Sequence, residues 1–146
     1  NSWAKPQSVS TPLVLIALID HRFGNGFLIF ITITLGVVLV ISAWNYPIYT
    51  ALPLVAYAIA AGNAVILKPS EIAAHTSICL QKLFNKYMDS STIFLILRIL
   101  QVIQGKVEVA KAITKLPFDM ICFTGSTATG RLVAMEAAKN LTPCIL

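Results

Sequence analysis

Three short polar spots interrupt an otherwise apolar chain: "AWNYP" at 43–47, "KPSE" at 68–71 and "GSTATG" at 125–130. Lys68 and Glu71 set an ammonium beside a carboxylate. A carboxylate can accept two hydrogen bonds from vicinal ribose hydroxyls, and an ammonium can donate to one. The plain alternative is a solvated lysine and a glutamate at a helix start, where it favours the helix dipole. From spacing alone the plain alternative is the stronger, with Ser70 as a helix cap. "GSTATG" lacks the Lys-Ser/Thr of a P-loop, and no G-x-G-x-x-G occurs anywhere in the chain. What remains is a glycine-flanked turn feeding a helix N-terminus, which offers free amides and a positive dipole end to an anion. Ser126 and Thr127 add hydroxyls between Gly125 and Gly130. An ordinary strand-to-helix turn would look the same. Asn45 carries an amide that can donate to a developing oxyanion, or can simply satisfy its own turn.

Composition narrows the classes. Hydrophobic residues make up 57% of the 146 residues and charged residues 12%, a shift toward the apolar on both counts. The net charge is +5, but Lys82, Lys86, Arg98, Lys106, Lys111 and Lys115 form no dense run and carry no interleaved aromatics. No nucleic-acid partner is expected. Cys79, Cys122 and Cys144 form no CxxC, and Cys79 and Cys122 read as buried thiols in a reducing compartment. His21 and His75 have no metal-ligand spacing around them, so no metal is expected. The N-terminal segment does not read as a signal peptide. Phe27–Ala43 is free of charge over 17 residues, the lower limit for a spanning helix. Its β-branched residues favour a buried strand, and a small membrane protein stays as an alternative.

These spots need elements to hold them. "LGVVLVIS" (35–42) reads as a strand buried on both faces. A helix follows over about 50–61, with Pro53 in its first turn and Gly62-Asn63 as its stop. "AVILK" (64–68) is a second strand, ended by Pro69. The next helix shows Ile72, Cys79, Leu83, Phe84 and Tyr87 at near-helical spacing. After an ambiguous apolar run at 93–103, 106–115 is a short amphipathic helix, 118–123 a third strand and about 131–139 a fourth helix. Strands alternating with helices imply right-handed parallel βαβ units, hence an α/β, Rossmann-like parallel sheet. In such sheets ligands sit beyond the carboxyl ends of the strands. The three polar spots are three of those ends.

Residues 36–71 and 118–146 together resemble the aldehyde dehydrogenase superfamily, closest to its class 3, fatty-aldehyde-type branch. Three motifs in the right order carry the likeness; 90–100 and 13–34 depart from it. The resemblance implies a divergent segment at 1–34 and a partial NAD(P)-binding domain at 35–146. It implies NAD-dependent oxidation of small-molecule aldehydes, with NADP as an alternative cofactor. Lys68, Ser70 and Glu71 then match adenosine-ribose contacts, and Gly125, Ser126, Thr127 and Gly130 a pyrophosphate-side loop. Asn45 matches the oxyanion donor. A cytoplasmic enzyme, or one on the cytosolic face of a membrane, and a homodimer of the full-length protein are the corresponding expectations. The family's nucleophilic cysteine motif matches none of Cys79, Cys122 and Cys144. Its general-base glutamate follows the "LTP" segment, here "LTPCIL". The 146 residues alone are therefore expected to be inactive, and a non-catalytic nucleotide-binding product is the alternative.

Overall fold

The computed structural model describes the backbone of residues 16–19 and 28–31 and the full structure of 34–87 and 99–146. Two short strands, β1 (Ile16–Ile19) and β2 (Leu28–Ile31), pair antiparallel, with Ile16 opposite Ile31. The charge-free stretch Phe27–Ala43 is thus no single helix. It holds β2 and a further strand, β3 (Val37–Ile41). Among the described residues no helix is long and apolar enough to cross a membrane.

From β3 onward the chain alternates strand and helix: α1 (Leu52–Ala60), β4 (Ala64–Lys68), α2 (Ala74–Tyr87), β5 (Leu100–Val102), α3 (Val107–Ile113), β6 (Met120–Phe123), α4 (Thr127–Lys139) and β7 (Cys144–Ile145). A 3-10 turn at Glu71–Ala73 leads into α2. The five strands β3 to β7 form one parallel sheet in the order β5-β4-β3-β6-β7. The chain moves outward from β3 to β5, and α3 then returns it to the other flank of β3. The sheet direction of travel reverses between β3 and β6, and such a reversal opens a crevice at the strands' carboxyl ends.

Alternate residues of each strand face opposite sides. Val38 and Val40 pack with Ala51, Val55, Ala58, Val65 and Leu67, and Phe84 of α2 closes that layer. Leu39 and Ile41 pack with Ile113, Phe118, Val133 and Ala137 on the other side. Covering both faces explains why these strands read as continuous apolar runs. α1 carries Pro53 in its first turn, where no intrahelical amide partner is lost. It stops at Gly62, whose φ of +82° suits glycine.

The structure departs from the expected elements in four places. The run at 93–103 supplies β5; residues 88–98 lie outside the described part. β7 is an added edge strand, paired to β6 through Ile121–Cys144 and Cys122–Ile145. α4 starts at Thr127 rather than near 131, because Ser126 caps it by accepting the Thr129 amide at 3.2 Å. On α2, Leu83, Tyr87 and Cys79 are exposed, as is Ile72 in the 3-10 turn before it. The inward residues are Ser77, Leu80 and Phe84, since the Ser77 hydroxyl is tied to the Ser70 carbonyl at 2.8 Å and the Ala73 carbonyl at 3.0 Å.

Candidate functional site

A cleft of about 840 Å³ opens over the carboxyl ends of β3, β4 and β6, the crevice that the strand order calls for. It takes in Asn45, Lys68, Ser70, Glu71, Gly125 and Ser126. All three polar spots therefore meet at one place.

At the end of β4, Lys68 is only 2% exposed. Its Nζ donates to the Pro69 carbonyl at 3.1 Å and to Glu71 Oε2 at 3.1 Å. A buried ammonium needs a counter-charge and hydrogen-bond acceptors close by, and the four-residue "KPSE" supplies both. Burial pushes the Glu71 carboxyl up, but three effects outweigh it: its own backbone amide, the hydrogen bond from Lys68 and the Lys68 charge. With a smaller push from the Lys106 charge, the carboxyl lies below its ordinary range. Glu71 is thus an anion with its side chain one-third exposed at the cleft. The Ser70 hydroxyl accepts the Ile72 amide at 3.3 Å and starts the turn that aims Glu71.

At the end of β6 the Thr124 amide donates to the Ile41 carbonyl at 3.0 Å, holding the two diverging strands together at the cleft floor. Gly125 has no room for a side chain: a Cβ there would run into the Phe123 ring. "GSTATG" is not a loop bracketed by glycines, as the sequence reading had it. Gly130 sits inside α4, buried against the same ring, and neither it nor Thr127 lines the cleft. Thr129 does, with its Oγ1 2.9 Å from Ser126 Oγ.

At the end of β3, Asn45 is exposed and its Oδ1 accepts the Tyr46 amide at 3.2 Å. That is the turn bond of the plain reading, and it fixes the amide while leaving Nδ2 without a protein acceptor among the described residues. Ser42 lines the cleft and is 4% exposed. Its amide donates to the Lys68 carbonyl at 3.2 Å, but its hydroxyl has no partner among the described residues.

The side walls were not anticipated. Val107, Ala110, Lys111 and Thr114 of α3 and the residue after it face the cleft, as do Thr129, Leu132, Val133 and Glu136 of α4. Both sets run i, i+3, i+4, i+7, one stripe of a helix. The spacing is present in the sequence, but nothing there shows that two stripes face each other across a gap. The arrangement offers an apolar slot for a flat ring, a Lys–Glu pair for vicinal hydroxyls and the positive end of a 13-residue helix for an anion. Those are the three parts of an adenine nucleotide, and NAD(P) fits the residues present.

No cysteine lines this cleft among the described residues. Cys122 lies on β6 with its side chain in the opposite core layer, where burial pushes the thiol up. Cys79 is exposed on α2, which corrects the expectation of a buried thiol, and Cys144 is half-buried on β7.

The sequence profile of the aldehyde dehydrogenase family matches residues 20–146. Aldehyde dehydrogenase family 3 member A2 of Pongo abelii is 49% identical over 113 residues, which is 77% of this chain and 22% of that protein. The mouse aldehyde dehydrogenase named dimeric NADP-preferring is 47% identical over 112 residues, 77% of this chain and 23% of that one. Among solved structures, the Mycobacterium tuberculosis aldehyde dehydrogenase complexed with NAD+ superposes with a TM-score of 0.64 at 38% identity, covering 76% of this chain and 22% of that chain. The chain spans about a quarter of the length of the curated relatives it matches.

Proposed function

This chain belongs to the aldehyde dehydrogenase family, and on that premise we propose that its cleft is the nucleotide seat of an enzyme oxidising aldehydes to carboxylic acids with NAD(P). One observation carries the reading. The pair of buried Lys68 and half-exposed Glu71, the start of α4 and Asn45 open into a single cleft at the point where the sheet reverses direction. Residues 35–146 are then part of an NAD(P)-binding domain, with 1–34 a divergent N-terminal segment.

In this reading Glu71 accepts from the adenosine-ribose hydroxyls while Lys68 holds Glu71 in place. Val107, Ala110, Leu132 and Val133 flank the adenine. Gly125 and Ser126 bring the N-terminus of α4 toward the phosphates. Thr127 contributes at most a backbone amide, and Gly130 serves packing. Ser70 acts through the turn that orients Glu71. When bound, NAD(P) supplies the hydride acceptor. Asn45 acts on the substrate: with Oδ1 held by the Tyr46 amide, Nδ2 is left to donate to the oxygen that gains charge on the aldehyde carbon. The substrate is a small-molecule aldehyde. By likeness to the mouse relative the assembled enzyme is a homodimer, and we place it in the cytoplasm.

The test is equilibrium titration with NAD of the full chain and of Lys68→Met. Loss of tenfold or more in affinity in the variant, with the helical and strand content unchanged by circular dichroism, is the expected result. Equal affinity in a folded variant would remove the Lys68–Glu71 pair from the seat.

A further inference from the structure

We propose that Glu136 reads the base of the bound nucleotide: its carboxylate accepts a hydrogen from the exocyclic amino group of adenine and turns away a purine that carries an oxygen at that position. This rests on the reading of the cleft as a nucleotide seat. The apolar walls Val107, Ala110, Leu132 and Val133 take a flat ring but tell one purine from another poorly. Discrimination comes from a polar group placed at the rim of such a slot, and an ionised carboxylate only accepts hydrogen bonds.

Glu136 lines the cleft one turn beyond Leu132 and Val133, on the same stripe of α4. It lies roughly 15 Å along the helix from Ser126. A nucleotide with its phosphates at the start of α4 and its ring between the walls brings its base toward this end. The Glu136 side chain is 27% exposed, against 66% for Lys139. Lys139 Nζ donates to both carboxylate oxygens at 2.8 Å, which fixes the group and leaves acceptor sites on each oxygen. A surface pair of this kind adds little stability; its effect here is to hold the acceptor in place. Lys115, at the end of the other wall, also lines the cleft. Asn140 Nδ2 donates to the Lys115 carbonyl at 3.1 Å and ties the far ends of the two walls together. The hydrogen bond from Lys139 has the largest effect on the Glu136 carboxyl. Desolvation opposes it, and the Lys139 and Lys115 charges add to it, so the carboxyl lies below its ordinary range and is ionised. The amino group of adenine donates and is flanked on each side by a ring nitrogen that accepts, so a carboxylate with an ammonium nearby matches either edge. A 6-oxo purine sets an oxygen where the amino group stood, and that oxygen meets Glu136 as a second acceptor.

Adenosine 5′-monophosphate and inosine 5′-monophosphate differ only at that position and in the proton on the ring nitrogen beside it, so their ratio isolates the base contact. Their dissociation constants are measured on the full chain, on Glu136→Gln and on Glu136→Ala. The parent is expected to favour the adenine nucleotide by about tenfold, the size of one half-exposed hydrogen bond to a charged group. Glutamine can donate to the oxygen as well as accept from the amino group, so Glu136→Gln is expected to bring the ratio within about twofold. Glu136→Ala is expected to reach the same ratio by weakening the adenine nucleotide alone. A parent that binds the two equally, or a preference that survives in Glu136→Ala, overturns the role of Glu136 and leaves the nucleotide seat standing. Failure of the parent chain to bind either nucleotide overturns the seat itself, and this inference with it.

Discussion

Lys68 Nζ lies 3.1 Å from Glu71 Oε2, yet the two side chains differ tenfold in exposure, 3% against 32%. The lysine depends on the glutamate more than the reverse. Glu71→Ala strands a buried ammonium with one carbonyl acceptor and is expected to destabilise the fold by about 1–3 kcal/mol. Lys68→Met leaves a carboxylate that water still reaches and should destabilise less. Urea unfolding of the two variants checks the order.

The same pair sets a pH dependence. Glu71 has its folded pKa below the ordinary 4.5. A carboxyl depressed on folding adds stability that is fully present above the unfolded value and is lost as pH falls through the folded value. Parent and Glu71→Gln should therefore differ in stability above about pH 5, and the difference should shrink on acidification below 4.5. Denaturant midpoints of both chains from pH 7 to 3 check it; a constant gap would mean the pair does not couple to folding.

The two glycines of "GSTATG" should respond oppositely to alanine. At Gly125 the added methyl runs into the Phe123 ring, and the strain is expected to destabilise by about 1–3 kcal/mol. At Gly130 the methyl stands 3.6 Å from the same ring, an ordinary contact, and alanine gains helix propensity. Gly130→Ala is expected to be neutral or stabilising by up to about 1 kcal/mol. Thermal unfolding of both variants separates them.

This contrast shows what the sequence made legible. β3, β4 and β6 could be read because each apolar run ends in a sharp polar break: Trp44-Asn45, Pro69 and Gly125. The meeting of those breaks followed from parallel topology alone. The start of α4 was misplaced because two glycines mimic a loop, although the hydroxyl of Ser126 is spaced to cap the Thr129 amide. β7 makes two residue pairs with β6, too few to leave a pattern. On α2 the apolar residues are spread around the helix, and hydrogen bonds of Ser77 choose the face that packs. The cleft walls are the largest omission. Val107 and Leu132 look like core residues until the fold sets them across a gap.

The thiols should react in order of exposure. Cys79 is exposed, Cys144 half-buried, and Cys122 buried with its thiol pushed up. Alkylation depends on the thiolate and on access. Iodoacetamide followed by mass spectrometry is expected to label Cys79 first and Cys122 only on unfolding. Rapid labelling of Cys122 in the folded chain would contradict the packing of β6.

The most direct test of the nucleotide seat is hydrogen exchange of the chain with and without saturating NAD. The expected result is added protection gathered in four segments: 42–45, 68–71, 107–114 and 124–136. Protection elsewhere, with these segments unchanged, would contradict the account, as would no protection at concentrations that saturate other members of the family.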